Sequence, residues 1–143
     1  MIDVLLPEGL ERQRNRPTTV SGRPGVSTEG ANQAFARARR VPVVIGGVDG
    51  HLRRPDLLGA LVLKASAHTT DSRDKDRHAQ DLVVLSELAL IDPRAVLSHV
   101  TAQDRRRLRP AVRALSSGER SLRSAADPAA VLQFLRHLAG DGA

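Results

Sequence analysis

Hydrophobic positions along this chain change their spacing from one segment to the next, and the spacing separates strands from helices. Residues 2–6, IDVLL, form a short apolar run stopped by Pro7 and Gly9, which reads as a buried strand. From Glu11 to Gly30 no period survives among Arg, Pro, Thr, Ser and Gly, so a long mobile loop is expected there. ANQAFARARR can make two helical turns. The β-branched VPVVI then reads as a strand, GGVDG as a turn and HLRR as the returning strand, a hairpin near 41–54.

From Pro55 onward the pattern is helical. Pro55 is expected at the first helical position, where its missing N–H would have no partner anyway, and the helix should run to about Thr69. On a helical wheel Leu57, Leu61, Lys64 and His68 fall within about 60° of one another, so Lys64 lies on an apolar face. The next helix, about Asp74 to Leu90, packs through Leu82, Leu85, Leu88 and Ala89, with His78 and Asp81 pointing inward. Asp92-Pro93 starts a short helix to about Val100. Thr101 with Asp104 resembles a capping arrangement for a helix kinked or broken at Pro110, with Leu108, Val112 and Leu115 inside. Asp127-Pro128 repeats the start signal, and Val131, Leu132, Leu135 and Leu138 make an amphipathic helix ending near Gly140. The fold class is therefore α+β: a small sheet region over 1–54, then a helical bundle over 55–143.

A chain of 143 residues is the size of one domain. Phe35 and Phe134 are its only aromatics, so the core must be built from Leu, Val and Ala, without rings for base stacking. The net charge is +6, and of 22 basic residues only Lys64 and Lys75 are lysines. Arginine forks suit phosphate, although a GC-rich genome inflates arginine in the same way. With no cysteine, disulfides and thiolate metal sites are excluded, which fits a reducing cytoplasm. The start MIDVLLPEGL does not read as a secretory signal, and no apolar run approaches the roughly 20 residues of a membrane span. A cytoplasmic protein without membrane partners is expected.

Lys64 is the only Lys, Arg, Asp or Glu between Asp56 and Asp71. An ammonium in an apolar setting requires an anion. Lys64, Arg73, Arg77 and Asp81 could converge where two helices meet at a short connection, as a pocket for a phosphorylated ligand. A Lys64 to Asp81 ion pair that only fastens the two helices is the alternative from spacing alone. His51, His68, His78, His99 and His137 lack zinc-ligand spacing, GGVDG reads as a hairpin turn, and no nucleophile motif stands out. Arg105, Arg106, Arg107, Arg109 and Arg113 could track RNA phosphates or form a solvated helix face.

The segment PDLLGALVLKASAHTTDSRDKDRHAQDLVVLSELAL, with DVLLPEGL and TTVSGRP before it, resembles the C-terminal part of AbiEii-type nucleotidyltransferase toxins, in the polymerase-beta-like nucleotidyltransferase superfamily. The resemblance covers roughly the first 90 residues. It rests on Lys64 in an apolar helix, Ala65 and Ala67 after it, Arg73, Arg77 and Asp81-Leu82; His78 stands where the family has an aspartate. The resemblance implies that Lys64 grips triphosphate, Arg73 and Arg77 bind nucleotide or acceptor, Asp81 orients the basic groups, and Asp3 shares a Mg2+ ion. It implies transfer of a nucleotide from an NTP to an RNA, such as a tRNA end, or to a protein, within a toxin-antitoxin pair. The family's Gly-Ser turn and Asp-x-Asp strand precede the strand that resembles residues 2–6, and this sequence begins after them. A truncated nucleotidyltransferase-like chain, inactive alone and with its missing front supplied from upstream, is thus expected, or a non-catalytic remnant that binds nucleotide, RNA or protein. A cognate antitoxin, or self-association through an exposed sheet edge, completes the expected partners.

Overall fold

The computed structural model describes residues 5–10, 18, 22, 25–118 and 120–141. Residues 2–4 of the expected first strand, and most of the expected loop, lie outside them. The described part of that strand, β1 (Leu5–Leu6), pairs in parallel with β2 (Val26–Ser27), Leu5 opposite Val26. The segment read as a loop therefore contributes a strand at its far end. Gly25 permits the contact, because a Cβ there would come within 2.6 Å of the Leu6 side chain.

Helix α1 (Ala31–Ala36) is shorter than two turns, since Ala38 already belongs to the following strand. Strands β3 (Ala38–Ile45) and β4 (Val48–Pro55) form an antiparallel hairpin, Ile45 opposite Val48 and Ala38 opposite Pro55. Gly46 and Gly47 close it with φ of 58° and 80°, a backbone that other residues adopt only under strain and that matches the twist of the paired strands. Pro55 ends β4 rather than opening the next helix. Asp56 is the cap instead, its carboxylate accepting the Gly59 N–H at 2.8 Å.

Four longer helices make the body: α2 (Leu57–Thr70), α3 (Lys75–Ala89), α5 (Ala102–Ser116) and α6 (Pro128–Ala139), with the short α4 (Pro93–Leu97) between α3 and α5. Leu61, Leu82, Leu108, Leu115, Leu135 and Leu138 are fully buried where they meet, joined by Phe134. A core of aliphatic side chains follows directly from the scarcity of rings. Leu88 departs from its expected role, standing exposed while Val83 is buried in the core. Helix α5 continues through Pro110, which lies on the exposed side while Leu108, Ala111 and Val112 hold the opposite face in the core. Both Asp-Pro starts hold: Asp92 caps Ala95 and Asp127 caps Ala130. Gly140 ends α6 at φ 79°, as the glycine signal required. Among the described residues no helix is long and apolar enough to cross a membrane.

Two charge clusters attach the N-terminal segments to the helices. Arg107 of α5 pairs with both Glu8 and Glu29, and Glu8 also accepts the Gly30 N–H. Arg37, just past α1, forks onto Asp104 of α5 through Nη2 at 2.6 Å and Nη1 at 3.1 Å. Asp104 is simultaneously the far half of the capping box, accepting the Thr101 N–H at 2.9 Å.

Gly30 caps α1 at φ 83°, and a Cβ on it would sit 2.7 Å from Ser66 Oγ on α2. Gly30→Ala is therefore expected to cost about 2 kcal/mol, combining backbone strain with the clash. Urea unfolding should show the lowered midpoint; an unchanged midpoint would mean that α1 does not approach α2 this closely.

Candidate functional site

Helices α2 and α3 run side by side and are joined by the turn Asp71–Asp74, so residues near their common end meet across the interface. Lys64 sits two turns before that end on α2, and Asp81 two turns after it on α3. Their side chains pair, Lys64 Nζ to Asp81 Oδ2 at 2.5 Å. The lysine side chain remains 32% exposed and the aspartate 37%. Lys64 is therefore not enclosed as its apolar neighbours suggested. A side chain exposed to that extent can lay its stem on apolar neighbours and keep its ammonium toward water, as long cationic side chains commonly do.

The sequence correctly links Lys64 to Asp81, but it does not bring the arginines to the same point. Arg73 occupies the outer side of the turn with 90% of its side chain exposed, and its Nε lies 3.9 Å from Asp71. Arg77 is exposed one helical turn before Asp81, on the same side of α3. His78 is mostly buried rather than aimed at Lys64, its Nε2 3.5 Å from Asp71 Oδ2. Asp3 lies outside the described residues.

Asp71 is the residue of this region that the sequence reading missed. Its carboxylate accepts the Arg73 N–H at 2.9 Å, closing an aspartate turn at the end of α2. An Asp two residues before an Arg, directly after a helix, was the available signal. The Arg73 N–H holds the Asp71 carboxyl below the usual carboxylate range, helped by His78 and by the Arg73 charge, while loss of solvent pulls the other way. The turn is thus organised by an anion, and its cations face outward.

Among the described residues no three His, Asp or Glu side chains gather as metal ligands. The arginine run on α5 is divided in its roles. Arg107 is tied to Glu8 and Glu29, and Arg109 donates to the Ala139 carbonyl, whereas Arg105, Arg106 and Arg113 face solvent. A cleft of about 500 Å³ opens elsewhere, between the hairpin base and the α3–α4 corner, with Arg39, Leu57, Leu88, Ile91 and His99 in its walls. None of Lys64, Arg73, Arg77 and Asp81 lines it. Compared with family models, with curated proteins and with solved structures, the chain matches none of them.

Folding holds the Asp71 proton more weakly than the unfolded chain does. The turn therefore contributes stability above the usual carboxylate range and loses it as pH falls through the folded pKa. A carbon-detected NMR titration should place the Asp71 midpoint below the ordinary 3.8, and His78→Phe should raise it only in part, because the Arg73 N–H bond remains. A wild-type midpoint at or above 3.8 would contradict this account.

Proposed function

We propose that the α2–α3 surface is a triphosphate-binding site of nucleotidyltransferase type, with Lys64 as the phosphate-binding residue and Asp81 as the group that positions it. The observation that carries the reading is the one-third exposed Lys64 to Asp81 pair at 2.5 Å. An ammonium on a side chain that stays one-third exposed can donate to a phosphate oxygen without first being dug out of a core. Arg77, exposed one turn from Asp81, and Arg73, exposed on the turn, supply further donors on the same end of the helix pair. Arginine forks there suit the remaining phosphates or an RNA acceptor.

The reading is of nucleotide binding by this chain. Transfer of the nucleotide also needs the phosphate cradle and metal-binding carboxylates that the family's Gly-Ser and Asp-x-Asp motif supplies, and no Gly-Ser followed by Asp-x-Asp occurs in the 143 residues. No chemical step is therefore assigned to the helices themselves. Resemblance to AbiEii-type toxins supports the choice of an NTP as ligand and of an RNA or protein as acceptor, and it brings a cognate antitoxin with it as a partner.

Calorimetric titration of the chain with ATP and with GTP, in buffer free of divalent metal, tests the proposal. Lys64→Ala should weaken triphosphate binding about tenfold, the worth of one charge-assisted hydrogen bond of about 1.5 kcal/mol. Asp81→Asn should weaken it less, since the ammonium survives but is no longer held in place. Equal affinity in Lys64→Ala, or no binding by the wild-type chain, would remove the nucleotide from the account and leave the pair as a fastening between helices.

A further inference from the structure

The β3–β4 hairpin leaves the helical body as a two-stranded ribbon, and such a ribbon is marginal in water by itself. Ile45, Val44, Val48 and Leu52 are large apolar side chains left exposed on it. Its two outer edges are not equivalent. The two-residue glycine turn makes Ile45 and Val48 a hydrogen-bonded pair, so by alternation Val43 with Gly50 and Val41 with Leu52 are bonded too. The intervening pairs, Val44 with Asp49, Pro42 with His51 and Arg40 with Arg53, turn their backbone groups outward.

On β3 that outward row contains Pro42, which has no N–H to offer, and the edge is blunted. On β4 the outward row is Asp49, His51 and Arg53, all three exposed and each with both a donor and an acceptor. From the charges on this row we infer that the β4 edge pairs with the β4 edge of a second copy of this chain, antiparallel and centred on His51.

Charge complementarity selects both the occupant and the register. A two-fold axis normal to the sheet at His51 sets Asp49 opposite Arg53 of the other copy, twice over, and Gly50 opposite Leu52. Opposite charges directly across a ladder are favourable, and like charges are not. Moving the register by two residues in one direction brings His51 opposite Arg53 and leaves Asp49 facing Pro55, which lacks a donor. Moving it two residues the other way sets Asp49 opposite His51 and leaves Arg53 without a carboxylate. The centred register also keeps Val41, Val43, Ile45, Val48 and Leu52 of both copies on one face of a four-stranded sheet, joining two narrow apolar strips into one.

Sedimentation velocity on the chain across a range of concentrations tests the inference, together with a charge swap. The wild type should populate a dimer. Asp49→Arg and Arg53→Asp should each raise the dissociation constant about tenfold or more, by placing like charges across the axis, and the double swap should restore association. His51→Pro should abolish the dimer while leaving the hairpin intact, because the N–H it removes faces away from β3. A wild type that stays monomeric at about 100 μM, where a Kd in the micromolar range would be nearly saturated, overturns the proposal. So does a dimer indifferent to all four variants. Association that appears only with added nucleic acid or acidic protein would assign the arginine-rich ribbon to that partner and likewise overturn it.

Discussion

A carboxylate with no solvent exposure sits inside this protein, and the arrangement of its two halves depends on how that charge is answered. Asp104 would cost several kcal/mol to bury alone. It is met by both terminal nitrogens of Arg37, at 2.6 and 3.1 Å, and by the backbone N–H and hydroxyl of Thr101, at 2.9 and 2.7 Å. Thr101 and Asp104 belong to the start of α5, in the helical body, whereas Arg37 lies at the junction of α1 and β3. The fork thereby sets where α1 ends against α5. The hairpin, which begins one residue later, departs from a fixed point.

Lys64 and Asp81 are the same kinds of group in a different dielectric. Both retain about a third of their side-chain surface, so water screens their attraction and an ion pair of this sort contributes from nothing to about 1 kcal/mol. A pair worth that little leaves the ammonium free to donate to a phosphate as well as to Asp81 at small cost to the fold. The Arg37 to Asp104 pair has no such freedom, since removing Arg37 strands the fully buried Asp104 carboxylate. The fold thus depends on the two ion pairs to different degrees according to burial, and that difference supports the proposal made for α2 and α3.

Elements with strong local signals were legible in the sequence. The Asp-Pro starts at Asp92 and Asp127, the capping box at Thr101 and the glycine end at Gly140 all depend on chemistry within a few residues, and all appear as expected. The Lys64 to Asp81 pair was legible too, because helical spacing across a short turn places both groups. What escaped was decided by distant partners or by competition between neighbours. Pro55 lost the helix start because Asp56 offers a carboxylate to Gly59 and Pro55 is already paired with Ala38. Arg37 was one arginine among many, and only the fold brings it across 67 residues to Asp104. Arg73 and Arg77 share an end of the helix pair with Lys64, but a turn organised around Asp71 sends them outward rather than into a closed pocket.

The fold depends on these two ion pairs to different degrees, and a double-mutant cycle on each measures the difference. Unfolding free energies for Lys64→Ala, Asp81→Ala and their combination should give a coupling below about 1 kcal/mol. The cycle for Arg37→Ala and Asp104→Ala should give a coupling near 3 kcal/mol, as a buried and hydrogen-bonded pair requires. A coupling of about 3 kcal/mol or more between Lys64 and Asp81 would make that pair a structural fastening and contradict the account.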